Sequence, residues 1–156
     1  MRAYPLTRGL TGTLPEGDGS GNAPPYLLPA DVLQIGNSYT QNDPFWTPTS
    51  SMVQALAVQA GVDLESDLYA SGGRSFRTNY EDPACITKIG SKPWSHAVLQ
   101  DLSTGATGTA LADHVEYGNL MARKCWETNP DCRIILRETP AYAVGHVAYT
   151  NGTYAG

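Results

Sequence analysis

Apolar residues fall in short blocks along this chain, separated by glycine, proline and small polar residues. Val32-Leu33-Gln34-Ile35 is a compact apolar run closed by Gly36, the pattern of a buried strand. Asn42, Asp43 and Pro44 supply turn chemistry. Met52, Val53, Leu56 and Ala60 then recur at helical spacing, which predicts a helix from Thr49 to Ala60 ended by Gly61. Val62 to Tyr69 alternates as a second strand, with Val62, Leu64 and Leu68 apolar, and Ser71-Gly72-Gly73 closes it. Residues 74–93 are ambiguous, with a short helix expected around Ala84 to Ile89. His96-Ala97-Val98-Leu99-Gln100 reads as a third strand, buried on both faces, and Ser103 to Gly108 as a loop. The clearest helix runs from about Thr109 to Thr128, with Leu111, Val115, Gly118, Met121, Ala122 and Cys125 on one face. Asn129-Pro130-Asp131 stops it, and a fourth strand spans Cys132 to Leu136.

Four strands alternate with three helices, the signature of a mostly parallel sheet with helices on both faces: an α/β, three-layer αβα sandwich. Such sheets take ligands outside the carboxyl ends of their strands. Attention therefore goes to the residues just after strands one, two and three: Gly36-Asn37-Ser38, Ser71-Gly72-Gly73 and Gln100-Asp101-Leu102-Ser103.

Composition narrows the function. The 156 residues suit one domain, and Lys and Arg number only 10 against a net charge of −5, so no basic footprint for nucleic acid exists. No stretch reaches the ~20 apolar residues of a membrane span. The first residues lack the apolar core of a signal peptide, which leaves the chain either intracellular or cut from a longer exported protein. Residues 1–30 are rich in Gly and Pro and read as a tail or linker, with the domain at 31–156. Gly17 to Gly21 lacks the Lys-Ser/Thr and the preceding strand of a phosphate loop. Cys85, Cys125 and Cys132 contain no Cys-x-x-Cys pair, so neither a structural zinc nor another cofactor is expected. Cys125 and Cys132 either bridge a loop or are buried thiols. Asn151-Gly152-Thr153 is a glycosylation sequon of consequence only in a eukaryotic secretory setting.

Ser38 is the candidate nucleophile. A serine just past a buried strand is open to substrate, and it needs a base and oxyanion donors to react. Gly72 or Gly73 can present a bare backbone N–H from the next strand end, and Gln100 a side-chain amide from the third.

Val32-Leu33-Gln34-Ile35-Gly36-Asn37-Ser38-Tyr39-Thr40 resembles the first block of the GDSL/SGNH hydrolases, with Asn where Asp is usual. It is similar to a bacterial branch that begins with Gly-Asn-Ser, as are "AGVDLESDLYASGG" and "WSHAVLQDLS", where Gln replaces the superfamily's Gly-x-Asn-Asp. The resemblance covers about residues 31–138. It implies a flavodoxin-like fold and attack of Ser38 on a carboxylic ester, such as an acylated carbohydrate or small acyl ester. The oxyanion would be held by the N–H of Ser38, that of Gly72 or Gly73, and the Gln100 amide.

The family's base is a His in a late Asp-x-x-His block, and this sequence has none. The absence predicts that the chain is the front part of the domain. Of the three histidines, His96 opens the third strand at the wrong end. His114 neighbours Asp113 on a helix, where adjacent residues do not face each other. His146, in a loop after the fourth strand on the correct side of the sheet, is the remaining candidate base. The competing reading is a non-catalytic relative that binds a carbohydrate or acyl ligand, with Tyr39, Trp46, Tyr69 and Phe76 lining the cleft. A phosphate binder is weaker, because the first loop lacks a Ser/Thr-rich cradle.

Overall fold

A computed structural model describes residues 30–41, 49–106 and 108–138. Four strands form one sheet: β1 (Ala30–Gly36), β2 (Leu64–Ala70), β3 (His96–Leu99) and β4 (Arg133–Leu136). Their order is β2-β1-β3-β4 and every pairing is parallel. The helices are α1 (Thr49–Gln59), α2 (Phe76–Tyr80), α3 (Pro83–Ile89) and α4 (Leu111–Thr128), with a turn of 3-10 helix at Gly108–Ala110 before α4. This is the α/β arrangement expected from the alternation.

The side chains of β1 and β3 sort by parity. Leu33, Ile35, Ala97 and Leu99 are fully buried on one face against Phe76, Cys85, Ile89, Trp94, Met121 and Cys125 from α2, α3, α4 and the segment before β3. Burying one large apolar side chain of this kind contributes about 1.5–3 kcal/mol. On the other face Val32, Gln34, Val98 and Ile135 share a groove of about 770 Å3 with Met52, Val53 and Leu56 of α1. Helices thus flank both faces.

Local chemistry sets the element ends. Gly61, at φ +68°, follows α1, and Val62 N–H donates to Ala57 C=O, so Val62 closes the helix and β2 begins only at Leu64. The region left ambiguous in the sequence holds two helices. Ser75 and Thr78 form a reciprocal capping box that starts α2. Asp82 caps α3, whose first residue is Pro83, a position where the missing N–H costs nothing.

The inward stripe of α4 differs from the expected one. Leu111 and Val115 are 48% and 54% exposed, whereas Met121 and Cys125 are buried. The stripe runs instead through His114, Gly118, Met121 and Cys125. His114 stacks on Phe76 with ring centroids 5.0 Å apart, and a Cβ on Gly118 would meet the same ring at 3.2 Å. A polar residue occupies the first position of the stripe, which is why an apolar pattern does not reveal it. No described helix is long and apolar enough to cross a membrane.

Candidate active site

The register brings three strand ends level. Gly36 pairs with Ala70 of β2, and Ile35 pairs with Leu99 of β3. Asn37, Ser71 and Asp101 therefore come level at the carboxyl edge, with Gln100 one residue back, level with Gly36. Ser38 sits in the turn after β1 and is exposed. Thr40 and Gln41 N–H groups both donate to Asn37 C=O, at 2.9 and 2.7 Å, and close that turn. The Ser38 hydroxyl makes no hydrogen bond among the described residues.

Asn37 and not Ser38 carries the turn's contacts. Its side chain is buried and joins all three strand ends. Nδ2 donates to Asp101 C=O at 2.9 Å and to Arg74 C=O at 3.4 Å, while Oδ1 accepts from Tyr39 N–H at 3.1 Å. Gly36 has no left-handed backbone; its missing side chain is needed for space. A Cβ there would collide with the Thr40 side chain and come within 2.8 Å of Gln100 Oε1.

Gln100 is fully buried beneath this turn. Its N–H donates to Ile35 C=O, and its Oε1 accepts from the Thr40 hydroxyl. Its Nε2 has no partner among the described residues. An unpaired buried donor costs about 1–3 kcal/mol, so this amide has unspent hydrogen-bonding capacity. A second buried amide, Asn79 on α2, donates to Gly36 C=O at 3.4 Å. It escaped the sequence reading because α2 did.

Gly72 and Gly73 form the exposed turn after β2, with Gly73 at φ +72°. Neither N–H has a partner among the described residues. A Cβ on Gly72 would lie 3.6 Å from Gln41 Oε1, which puts this turn against the Ser38 turn.

Beside these stands an acid–imidazole pair that adjacency along the chain conceals. Asp101, buried just after β3, holds His114 Nδ1 at 2.7 Å through Oδ2. Its Oδ1 accepts from the N–H groups of Phe76 and Leu102, each at 2.7 Å. Gly105 leaves the room this carboxylate occupies. The signal in the sequence was an Asp two residues past a strand followed by a His in the first turn of the next helix. The other acid beside His114 in sequence, Asp113, faces Arg77 instead, at 3.4 Å.

A second charged knot flanks the site. Asp82 Oδ2 accepts from Tyr69 Oη and Arg74 Nη1, each at 2.6 Å. The Tyr69 hydroxyl, the Ala84 N–H and the Arg74 guanidinium hold its carboxyl down at about 2. His96 lies at the amino end of β3, bonded to Ser95 Oγ at 2.9 Å; burial and Arg133 push its pKa down. His146 and Trp46 lie outside the described residues. Cys85, Cys125 and Cys132 are buried free thiols, so the two later cysteines are not bridged. No metal-binding group of His, Cys, Asp and Glu occurs among the described residues.

The chain matches no protein-family model and no curated protein. Among solved structures it is similar to the lipase Lip_vut3 from a goat rumen metagenome, with a TM-score of 0.50 at 8% identity. The match covers 69% of this chain and 62% of that one. The chain therefore spans less than two thirds of that lipase. At this identity the likeness is one of fold: a parallel α/β sheet flanked by helices.

Proposed function

We propose that this chain carries the nucleophile and oxyanion parts of a serine ester hydrolase of the GDSL/SGNH type. The observation behind this reading is the meeting of three strand ends, which gathers an exposed serine, two glycine N–H groups and a buried amide N–H that have no partner among the described residues. Ser38 Oγ would attack the ester carbonyl, and its proton would pass to a base. The tetrahedral oxyanion would accept from the N–H groups of Ser38 and of Gly72 or Gly73, and from Gln100 Nε2 once the Thr40 turn admits it. Loss of one such donor typically costs about 100-fold or more in turnover. His146, downstream of β4 in the sequence, is the base this reading names within the chain. The substrate class is a carboxylic ester, either an acylated carbohydrate or a small acyl ester.

One observation favours a second reading. Among the described residues no base contacts Ser38, and a serine hydrolase without its base loses most of its rate. A protein that keeps the cleft to bind a carbohydrate or acyl ligand would look the same. Hydrolysis of p-nitrophenyl acetate by wild type, Ser38→Ala and His146→Ala separates the two. Loss of rate in both variants supports the hydrolase with His146 as base. Loss in Ser38→Ala alone removes His146 from the mechanism. Equal background rates in all three leave the binding protein.

A further inference from the structure

The pair Asp101–His114 is built with more care than a helix surface requires. The Asp101 side chain is 7% exposed, and the residue engages four groups through three of its oxygens. Oδ1 takes the N–H groups of Phe76 and Leu102, Oδ2 takes His114 Nδ1, and the backbone oxygen takes Asn37 Nδ2. Phe76 opens α2 and Leu102 lies in the loop after β3, so one residue fastens the loops that follow three strands. The imidazole is fixed from two sides, by Asp101 on its edge and by the Phe76 ring on its face. Gly105 and Gly118 are the two positions whose side chains would displace this arrangement, one into the Asp101 carboxylate and one into Phe76.

From this geometry we infer that His114 and Asp101 are positioning residues for the Ser38 turn. His114 acts through its Nδ1 donor on Asp101, and Asp101 acts through its carbonyl oxygen on Asn37, the residue beside Ser38. Buried carboxylate–imidazole links of this kind fix orientation because the charge-assisted bond is short and strong. The imidazole's other nitrogen has no part in this role. The inference rests on the reading of Ser38 as nucleophile, but its structural half stands apart from that reading.

The test uses the full chain and three substitutions at one site. Asparagine at this position can offer an amide donor near the place of Nδ1; alanine offers none; glutamine reaches instead toward the place of Nε2. Two quantities are followed: hydrogen exchange at Thr40 N–H, which closes the Ser38 turn, and phosphonylation of Ser38 by a fluorophosphonate as a function of its concentration. His114→Ala is expected to speed the exchange and to lower the maximal phosphonylation rate, each by roughly tenfold, with the half-saturating concentration little changed. His114→Asn is expected to restore both, and His114→Gln neither. Should His114→Ala fail to fold, His114→Gln against His114→Asn carries the same comparison. Wild-type behaviour of His114→Ala in both measurements overturns the inference. So does a His114→Asn protein with normal exchange but a lost phosphonylation rate, since that result makes His114 a base acting through Nε2. If wild type is not phosphonylated at all, the hydrolase reading fails and the exchange data alone decide the positioning role.

Discussion

The side-chain nitrogen of Asn37 lies 2.9 Å from the carbonyl oxygen of Asp101 and hangs the Ser38 turn on the end of the neighbouring strand. The same nitrogen reaches Arg74 C=O at 3.4 Å. Both partners are acceptors, so the residue between Gly36 and Ser38 has to donate. This gives a physical reason for Asn where the resembled hydrolases usually have Asp. An amide satisfies both carbonyls; a carboxylate would confront them with a third acceptor and a charge.

Asn37→Asp is therefore expected to destabilise the fold by about 1–3 kcal/mol, the cost of leaving buried polar groups unpaired. Urea unfolding at pH 7 measures it as a lower midpoint at unchanged slope. The deficit should narrow as pH falls toward about 4, because a buried carboxyl facing two carbonyls takes up its donor hydrogen at a higher pH than the unfolded one.

Gly36 offers a second check. The space for its missing Cβ is filled by the Thr40 side chain and by Gln100 Oε1. Gly36→Ala should cost about 1–3 kcal/mol, the range for forcing extra atoms into a packed interior. A double substitution with Thr40→Ala should recover part of that loss in thermal melts, because the Thr40 side chain is one of the groups in the way.

Burial pushes the thiols of Cys85 and Cys125 up to about 12, with the Asp82 charge adding at Cys85 and Cys132 adding at Cys125. Cys132 is raised as well, chiefly by burial. The thiolate is the reactive form. Native protein at pH 8 should therefore react with a disulfide reagent such as 5,5'-dithiobis(2-nitrobenzoate) only slowly, and all 3 cysteines should titrate at once in denaturant.

Asp82 predicts an acid-sensitive step. Its carboxyl is lowered from 3.8 to about 2 by Tyr69 first, then by Ala84 N–H and Arg74. A depressed carboxylate adds stability that is fully present above its unfolded value and disappears as pH falls through the folded one. Wild type should exceed Asp82→Asn in stability at pH 6, and the gap should close between about pH 4 and pH 2. A gap independent of pH would show that the charge on Asp82 contributes nothing.

The sequence made the sheet legible because β1 is buried along most of its length; β3 reads as buried on both faces, but only Ala97 and Leu99 are buried, while His96 and Val98 are half-buried beside the groove. It also directed attention to the carboxyl ends of the strands, since a parallel sheet takes its ligands along that edge. What it concealed has particular causes. α2 is only five residues long, and its start is written in a Ser75–Thr78 box and not in periodicity. The inward stripe of α4 begins with His114, so a search for apolar spacing settles on Leu111 and Val115, which are exposed. The Asp101–His114 pair joins a strand end to a helix across a loop, and comparison of neighbours in sequence finds Asp113 first.

The central claim is that Ser38 is an activated nucleophile. Incubation of the full chain with a fluorophosphonate, followed by proteolysis and mass spectrometry, tests it at the level of the atom. The account predicts one phosphonyl adduct, on the peptide containing Ser38, absent from Ser38→Ala and from heat-unfolded protein. An unmodified Ser38 in folded wild type, or an adduct that survives Ser38→Ala at the same yield, would contradict it.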